Sequence, residues 1–124
     1  MDIKHGWFYL ADLNPRRGTE PGKTRPVLVI QTDLLNQVEH PSSIILPLTT
    51  QIQDSVHPLR VRIPLTHLGF DIESDVMIDQ IRTIDNRRFY RGDTDVLIKT
   101  ISQIEPQIFE EIERCLLQVL DITP

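Results

Sequence analysis

Only one stretch of the chain carries an apolar repeat long enough for a helix of several turns. Ile104, Ile108, Ile112, Leu116 and Leu120 recur every four residues through otherwise polar sequence, the stripe of an amphipathic helix that must bury one face. Everything before it comes in strand-sized pieces. Gly6 to Leu13 reads as a strand closed by the turn signal Asn14-Pro15, and a polar loop follows from Arg16 to Thr24 with two glycines and Pro21. Pro26 to Gln31 is a continuous apolar run rich in β-branched residues, expected of a central strand covered on both faces. Asp33 to Gln37 has the length of one helical turn before the loop His40 to Ser43. Ile44 to Thr49 is a further strand, which Pro47 sends to an edge or a bulge because proline cannot donate to a ladder.

Leu59 to Ile63 alternates strictly, so Arg60 and Arg62 share a face open to solvent or ligand while Leu59, Val61 and Ile63 point into the core. Thr66 to Gly69 reads as a short helical turn ended by Gly69. Asp75 to Ile84 reads as a strand, with Asp79, Ile81 and Thr83 on one side and Gln80 and Arg82 on the other, and Asp95 to Lys99 as the last short strand. At the start of the helix, Ser102 and Glu105 have capping-box spacing, and Glu105 as N-cap with Pro106 first in the helix fits equally well. Short strands with one C-terminal helix describe a mainly β fold, a small barrel or a curled sheet with helical additions.

At 124 residues and 40% hydrophobic content, one ordinary globular domain spanning 1–124 is expected. The single cysteine, Cys115, allows no internal disulfide, fits a reducing compartment and leaves no zinc framework. No apolar run reaches the roughly 18 residues of a membrane span, and the first residues lack a signal peptide's apolar core. The expectation is a cytoplasmic protein with no membrane partner. A net charge of −5 argues against a protein that coats nucleic acid, but the charge is unevenly spread. Residues 100–124 hold five acidic side chains against Arg114 alone, whereas residues 16–25 (Arg16, Arg17, Lys23 and Arg25 against Glu20) and 82–91 (Arg82, Arg87, Arg88 and Arg91 against Asp85) are each net basic. If folding joins these two stretches, they make a local anion site on an acidic protein.

Three strings go further than composition. Gly18-Thr-Glu-Pro-Gly-Lys-Thr-Arg-Pro-Val-Leu-Val-Ile-Gln31, then Leu48-Thr-Thr-Gln51, then Asp79-Gln-Ile-Arg-Thr-Ile-Asp85 occur in order and strongly resemble the MazF/PemK family of toxin endoribonucleases. The resemblance runs from Gly6 and Trp7 through the C-terminal helix. It implies an SH3-like small β-barrel of the PemK/MazF/CcdB type with a C-terminal amphipathic helix, usually a homodimer. It further implies cleavage of single-stranded RNA without a metal or other cofactor, held in check by a MazE-like antitoxin. Chemically this is feasible because RNA carries its own nucleophile, the 2′-hydroxyl next to the phosphate; the protein has only to position, stabilise charge and move protons. The products are a 2′,3′-cyclic phosphate and a 5′-hydroxyl.

On this resemblance the catalytic candidates are Arg25, Thr49 and Glu20. Arg25 offers a permanently charged fork that matches phosphate oxygens, and it stands between a glycine-containing loop and the stiff strand entry at Pro26. Thr49 corresponds to the family's catalytic threonine and would donate to a non-bridging oxygen or help protonate the leaving 5′-oxygen, with Thr50 as the neighbouring alternative. Glu20 would take the 2′-hydroxyl proton or orient the arginine. An RNA-contacting set comprises Arg16, Arg17, Thr19, Lys23, Thr50, Gln51, Asp79, Gln80, Arg82 and Arg87. In some relatives the counterpart of Asp79 is the base, partnered by an arginine two residues earlier; Met77 stands there in this chain. The family loop commonly reads Gly-x-Glu-Gln-x-Gly-x-Arg-Pro, whereas Pro21 replaces the glutamine and Lys23 the second glycine, a stiffer and more basic loop.

His5, His40, His57 and His67 have no metal-like spacing and read as surface residues, Trp7 as a packing residue, and Tyr90 as a side chain that could stack on a base. The competing functions are a CcdB-like toxin that binds a topoisomerase without chemistry, and a plain RNA-binding module. Neither has need of Arg25, Glu20 and Thr49 together.

Overall fold

Val27, Leu28 and Val29 are fully buried because the strand that carries them lies between two others and under two separate cores. The computed structural model describes residues 2–15 and 17–123. Its elements are β1 (Trp7–Asp12), β2 (Thr24–Val29), α1 (Asp33–Gln37), β3 (Ser42–Thr49), β4 (Arg60–Ile63), β5 (Ser74–Met77), β6 (Arg82–Asp85), β7 (Thr100–Gln103) and α2 (Pro106–Val119). The strands form one curled antiparallel sheet in the order β4-β5-β3-β2-β1-β7, with β6 also pairing β3. This is the barrel-like, mainly β architecture expected, with a helix at the C-terminus.

Alternation on the central strands divides the core between the two faces. Phe8, Leu28, Leu46 and Leu48 join Val61, Ile63, Val76 and the residues of α2 on one face. Tyr9, Val27, Val29 and Ile45 join Ile3, Leu13, Ile84 and Phe89 on the other. A run with every residue apolar is what a strand under two cores requires.

Five expectations need correction. Pro47 is central, paired with Val27. On the opposite side β3 is paired with β6 through Ile45 and with β5 from Leu48, so proline occupies the step where the strand changes partner. The stretch Asp75 to Ile84 is broken: a 3-10 turn at Ile78–Gln80 separates β5 from β6, and the alternation assigned to Asp79 and Gln80 does not exist. The last strand is Thr100–Gln103, not Asp95 to Lys99, which contributes only a bridge from Leu97 to Tyr90. Leu59, expected in the core, is exposed, since β4 begins one residue later. Leu120 is 46% exposed, because a row spaced by four advances about 40° past each full turn. Cys115 and Val119 occupy the buried face in its place.

Glu105 is the N-cap of α2 and Pro106 the first helical residue, but the Glu105 side chain caps nothing. His67, which reads as a surface residue, is buried, and its Nε2 accepts the Glu105 N–H at 3.1 Å while Nδ1 donates to the Leu68 carbonyl at 3.0 Å. The Ser102 hydroxyl is buried and caps nothing. Trp7 packs against the core around Tyr9, with the Lys4 ammonium 5.9 Å from its ring centre.

Tyr9 fastens the N-terminal segment, accepting the Lys4 N–H at 2.9 Å and donating to the Asp2 carbonyl at 3.0 Å. Burial pushes its pKa up to about 12 from 10.0. In that window the unfolded chain releases a proton that the folded chain retains, so stability present below pH 10.0 declines as pH rises toward about 12. Urea midpoints are expected to fall across this range and to fall less for Tyr9→Phe; Tyr90, also raised by burial, retains part of the slope. Equal slopes for the two proteins would reject the assignment.

Candidate active site

Strand register assembles the site. β2 and β3 pair Val27 with Pro47 at the end of their ladder, and beyond it the Arg25 side chain reaches the Leu48 carbonyl beside Thr49. On its other edge Thr49 pairs with Asp75, and Asp75 with Arg62 of β4. Residues directly opposite in an antiparallel sheet project from the same face, with Cβ atoms about 5 Å apart. Thr49, Asp75 and Arg62 therefore form one row across three strands, and Arg60, two residues from Arg62, shares their face.

The Thr49 end of the row borders a cleft of about 500 Å³. Arg25, Thr49 and Glu20 all line it, as do Thr19, Lys23, Thr50 and Gln51. Arg25 is anchored at both ends of its guanidinium: Nε donates to the Gly22 carbonyl at 2.7 Å and Nη1 to the Leu48 carbonyl at 3.1 Å. Its charge is thus held in the angle between the loop and β3. The Thr49 hydroxyl accepts the Gln51 N–H at 3.1 Å, which directs its own proton elsewhere.

Lys23 has φ of 67°, a left-handed backbone that disfavours a side chain by about 1–2 kcal/mol. The strand-side anchors that hold it there are its N–H donated to Asn14 Oδ1 at 2.8 Å and its carbonyl accepting the Leu13 N–H at 2.9 Å. This is the position where the family loop commonly has its second glycine, and the backbone explains why glycine suits it. The substitution places a cation on the cleft rim at the expense of local strain.

Other members of the sequence-derived set lie elsewhere. Arg17, Asp79, Gln80, Arg82 and Arg87 are not among the residues lining the cleft, and Arg16 lies outside the described residues. Arg82 reaches the rim residue Glu20 at 3.8 Å. Arg87 folds onto the carbonyls of Gly92 and Thr94 and lies 5.1 Å over the Tyr90 ring, occupying a face otherwise suited to a base. Arg88 donates to the carbonyls of Asp12 and Asn14 at the base of the loop. The two basic stretches do meet, but only Arg82 and Arg88 of the second touch the loop that carries the first, while Arg87 and Arg91 bind carbonyls of residues 92–98.

Sequence reasoning missed the far wall. Asp75, 1% exposed, takes Arg62 Nε at 2.6 Å, the Gln53 N–H at 2.8 Å and Arg60 Nη1 at 3.6 Å. Hydrogen bonds from Asp75 and then Asp54 push the Arg62 pKa above its already high value. Asp75 reads in sequence as an ordinary strand residue; the only signal was the outward alternation of Arg60 and Arg62. Arg60, Gln53, Ser74 and Met77 complete the cleft lining on this side, so a thioether stands where some relatives have an arginine. Among the described residues no group of three or more His, Cys, Asp or Glu could hold a metal ion, and no helix is long and apolar enough to cross a membrane.

Comparison with known proteins identifies the family and the fold. Residues 4–120 match the family described as PemK-like, MazF-like toxin of type II toxin-antitoxin system. Endoribonuclease EndoA of Bacillus subtilis (strain 168) is 36% identical over 116 residues, covering 94% of this chain and 92% of that protein. The fold matches MazF (Form-I) from Deinococcus radiodurans with a TM-score of 0.75 at 24% identity over 97% of each chain. It also matches an endoribonuclease in complex with its cognate antitoxin from a mycobacterial species, with a TM-score of 0.71 at 18% identity over 100% of this chain and 99% of that one. A curled half-barrel whose residues 4–120 match the family profile, with 36% identity to EndoA over 94% of the chain, places this chain in the PemK-like, MazF-like toxin family of type II toxin-antitoxin systems.

Proposed function

We propose that residues 1–124 act as one toxin domain, a cytoplasmic endoribonuclease that cuts single-stranded RNA at short sequences and is neutralised by a MazE-like antitoxin. The observation that carries this reading is that Arg25, Thr49 and Glu20 line one cleft; the identity with EndoA supports it. The RNA 2′-oxygen attacks phosphorus, its proton departs, the bond to the 5′-oxygen breaks and that oxygen gains a proton. The ends are a 2′,3′-cyclic phosphate and a 5′-hydroxyl, and the attack itself requires no ion.

Arg25 stabilises the extra negative charge on the phosphoryl oxygens as it develops. Being always protonated, it does not serve as the base. Thr49 donates its O–H to a non-bridging oxygen. Glu20, 3.8 Å from Arg82, orients the loop and its cations. The rim cations Lys23, Arg25 and Arg60 also suit an acidic antitoxin segment that orders on binding. Solved relatives occur in complex with antitoxins. A homodimer would set two such clefts along one RNA path.

Incubation with mixed-sequence single-stranded RNA in EDTA, followed by end-group analysis, tests the chemistry. Cyclic-phosphate and 5′-hydroxyl ends are expected, with Thr49→Val slower by about a hundredfold and Thr50→Val close to the parent. Intact RNA would leave a CcdB-like binding toxin or a plain RNA-binding module. Equal loss in both variants would move the donor role off Thr49.

A further inference from the structure

Two guanidinium groups frame the end of β3 from opposite sides. Arg25, from β2, donates to the carbonyl of Leu48, and Arg60, from β4, donates to that of Gln51 at 3.4 Å. Thr49 and Thr50 lie between these two carbonyls. A strand of RNA crossing the cleft over Thr49 passes one cation and then the other.

Arg60 and Arg62 differ in how firmly their charge is matched. Arg62 is clasped by Asp75 at 2.6 Å and Asp54 at 2.8 Å. Arg60 has its nearest carboxylate oxygen at 3.6 Å, is 19% exposed and lines the cleft. It also stands on the sill between that cleft and an adjoining hollow of about 250 Å³, formed by residues 53–57, Arg62, Asp75 and Glu111 of α2.

We infer that Arg60 is a second phosphate-binding residue, holding the backbone phosphate next to the scissile one on the Gln51 side and leading the RNA over the sill. Asp75 is its positioning residue. By taking the Gln53 N–H on the same Oδ2 that faces Arg60, it ties the loop after β3 to the strand carrying that arginine. A charge-paired guanidinium still accepts a phosphate when its existing contact is long, because two-point contact with phosphate oxygens is the shorter and stronger arrangement.

This rests on the cleft being an RNA site, so the experiment separates the two. Binding of mixed-sequence 2′-O-methyl RNA, which lacks the attacking hydroxyl, is measured against salt for the parent, Arg60→Gln, Arg60→Lys and Arg114→Gln. Cleavage kinetics on ordinary RNA and thermal unfolding accompany it. Arg60→Gln is expected to bind about tenfold more weakly and to flatten the slope of log K against log salt by about 0.7, with KM raised and kcat retained. Arg60→Lys should recover the slope, and Arg114→Gln, which removes the same charge from an exposed face of α2, should leave it unchanged. A parent that binds and cuts RNA while Arg60→Gln keeps its slope, or Arg114→Gln loses as much, overturns the Arg60 assignment alone. A parent that neither binds nor cuts RNA overturns the RNA reading and this inference together.

Discussion

Arg25→Ala is expected to lower kcat/KM for RNA cleavage by about a hundredfold to a thousandfold, with thermal unfolding close to that of the parent. Most of that loss should fall in kcat, because charge builds on the phosphoryl oxygens only as the 2′-oxygen attacks. The effect is large because the guanidinium is held before substrate arrives: the carbonyls of Gly22 and Leu48 fix it at 2.7 and 3.1 Å, so little reorientation is left to the transition state. Arg25→Lys should recover only a minor part, since an ammonium keeps the charge but not the planar fork that both carbonyls and phosphate engage. A folded Arg25→Ala enzyme that cuts at the parent rate would remove Arg25 from the mechanism.

Asp75→Ala is expected to lower the melting temperature on the order of 10 °C, a large effect for one side chain outside the apolar cores. Its carboxylate is 1% exposed and has three donors around it, whereas its arginine partners are 19% and 29% exposed. Removing it strands the Gln53 N–H and leaves Arg60 and Arg62 beside each other with Asp54 alone as counter-charge. Asp75→Asn retains an acceptor for Gln53 and should lose about half as much. Calorimetry of both variants reads the difference. A melting temperature equal to that of the parent would mean that the network behaves as an ordinary surface pairing, of small value.

Local chemistry was legible where one rule acted without competition. The two-sided apolar run of β2 and the short helix at Asp33–Gln37 appear as expected. So does the helix after Pro106, where proline at the first position needs no N–H partner. Legibility failed where long-range pairing outweighed a local rule. Pro47 argues for an edge until β3 is seen to change partners beside it. Asp75 to Ile84 has strand composition throughout, yet the chain must turn at Ile78–Gln80 to serve two different stretches of β3. His67 is unremarkable in sequence and becomes a buried acceptor only because its turn packs beneath the start of α2.

The same division holds for the candidate site. By itself the amino-acid order determined the family, the mainly β class and the terminal helix, and it nominated Arg25, Thr49 and Glu20 as candidates, because these follow from motif order, periodicity and side-chain chemistry. Only the tertiary structure decided that Asp75 joins Arg60 to the loop after β3 and that the arginines of the second basic stretch bind carbonyls and Glu20 instead of lining the cleft. The first of these depends on strand register, which brings residues 49, 75 and 62 into one row. Register is set by pairings between distant segments, and no local pattern in the chain encodes it.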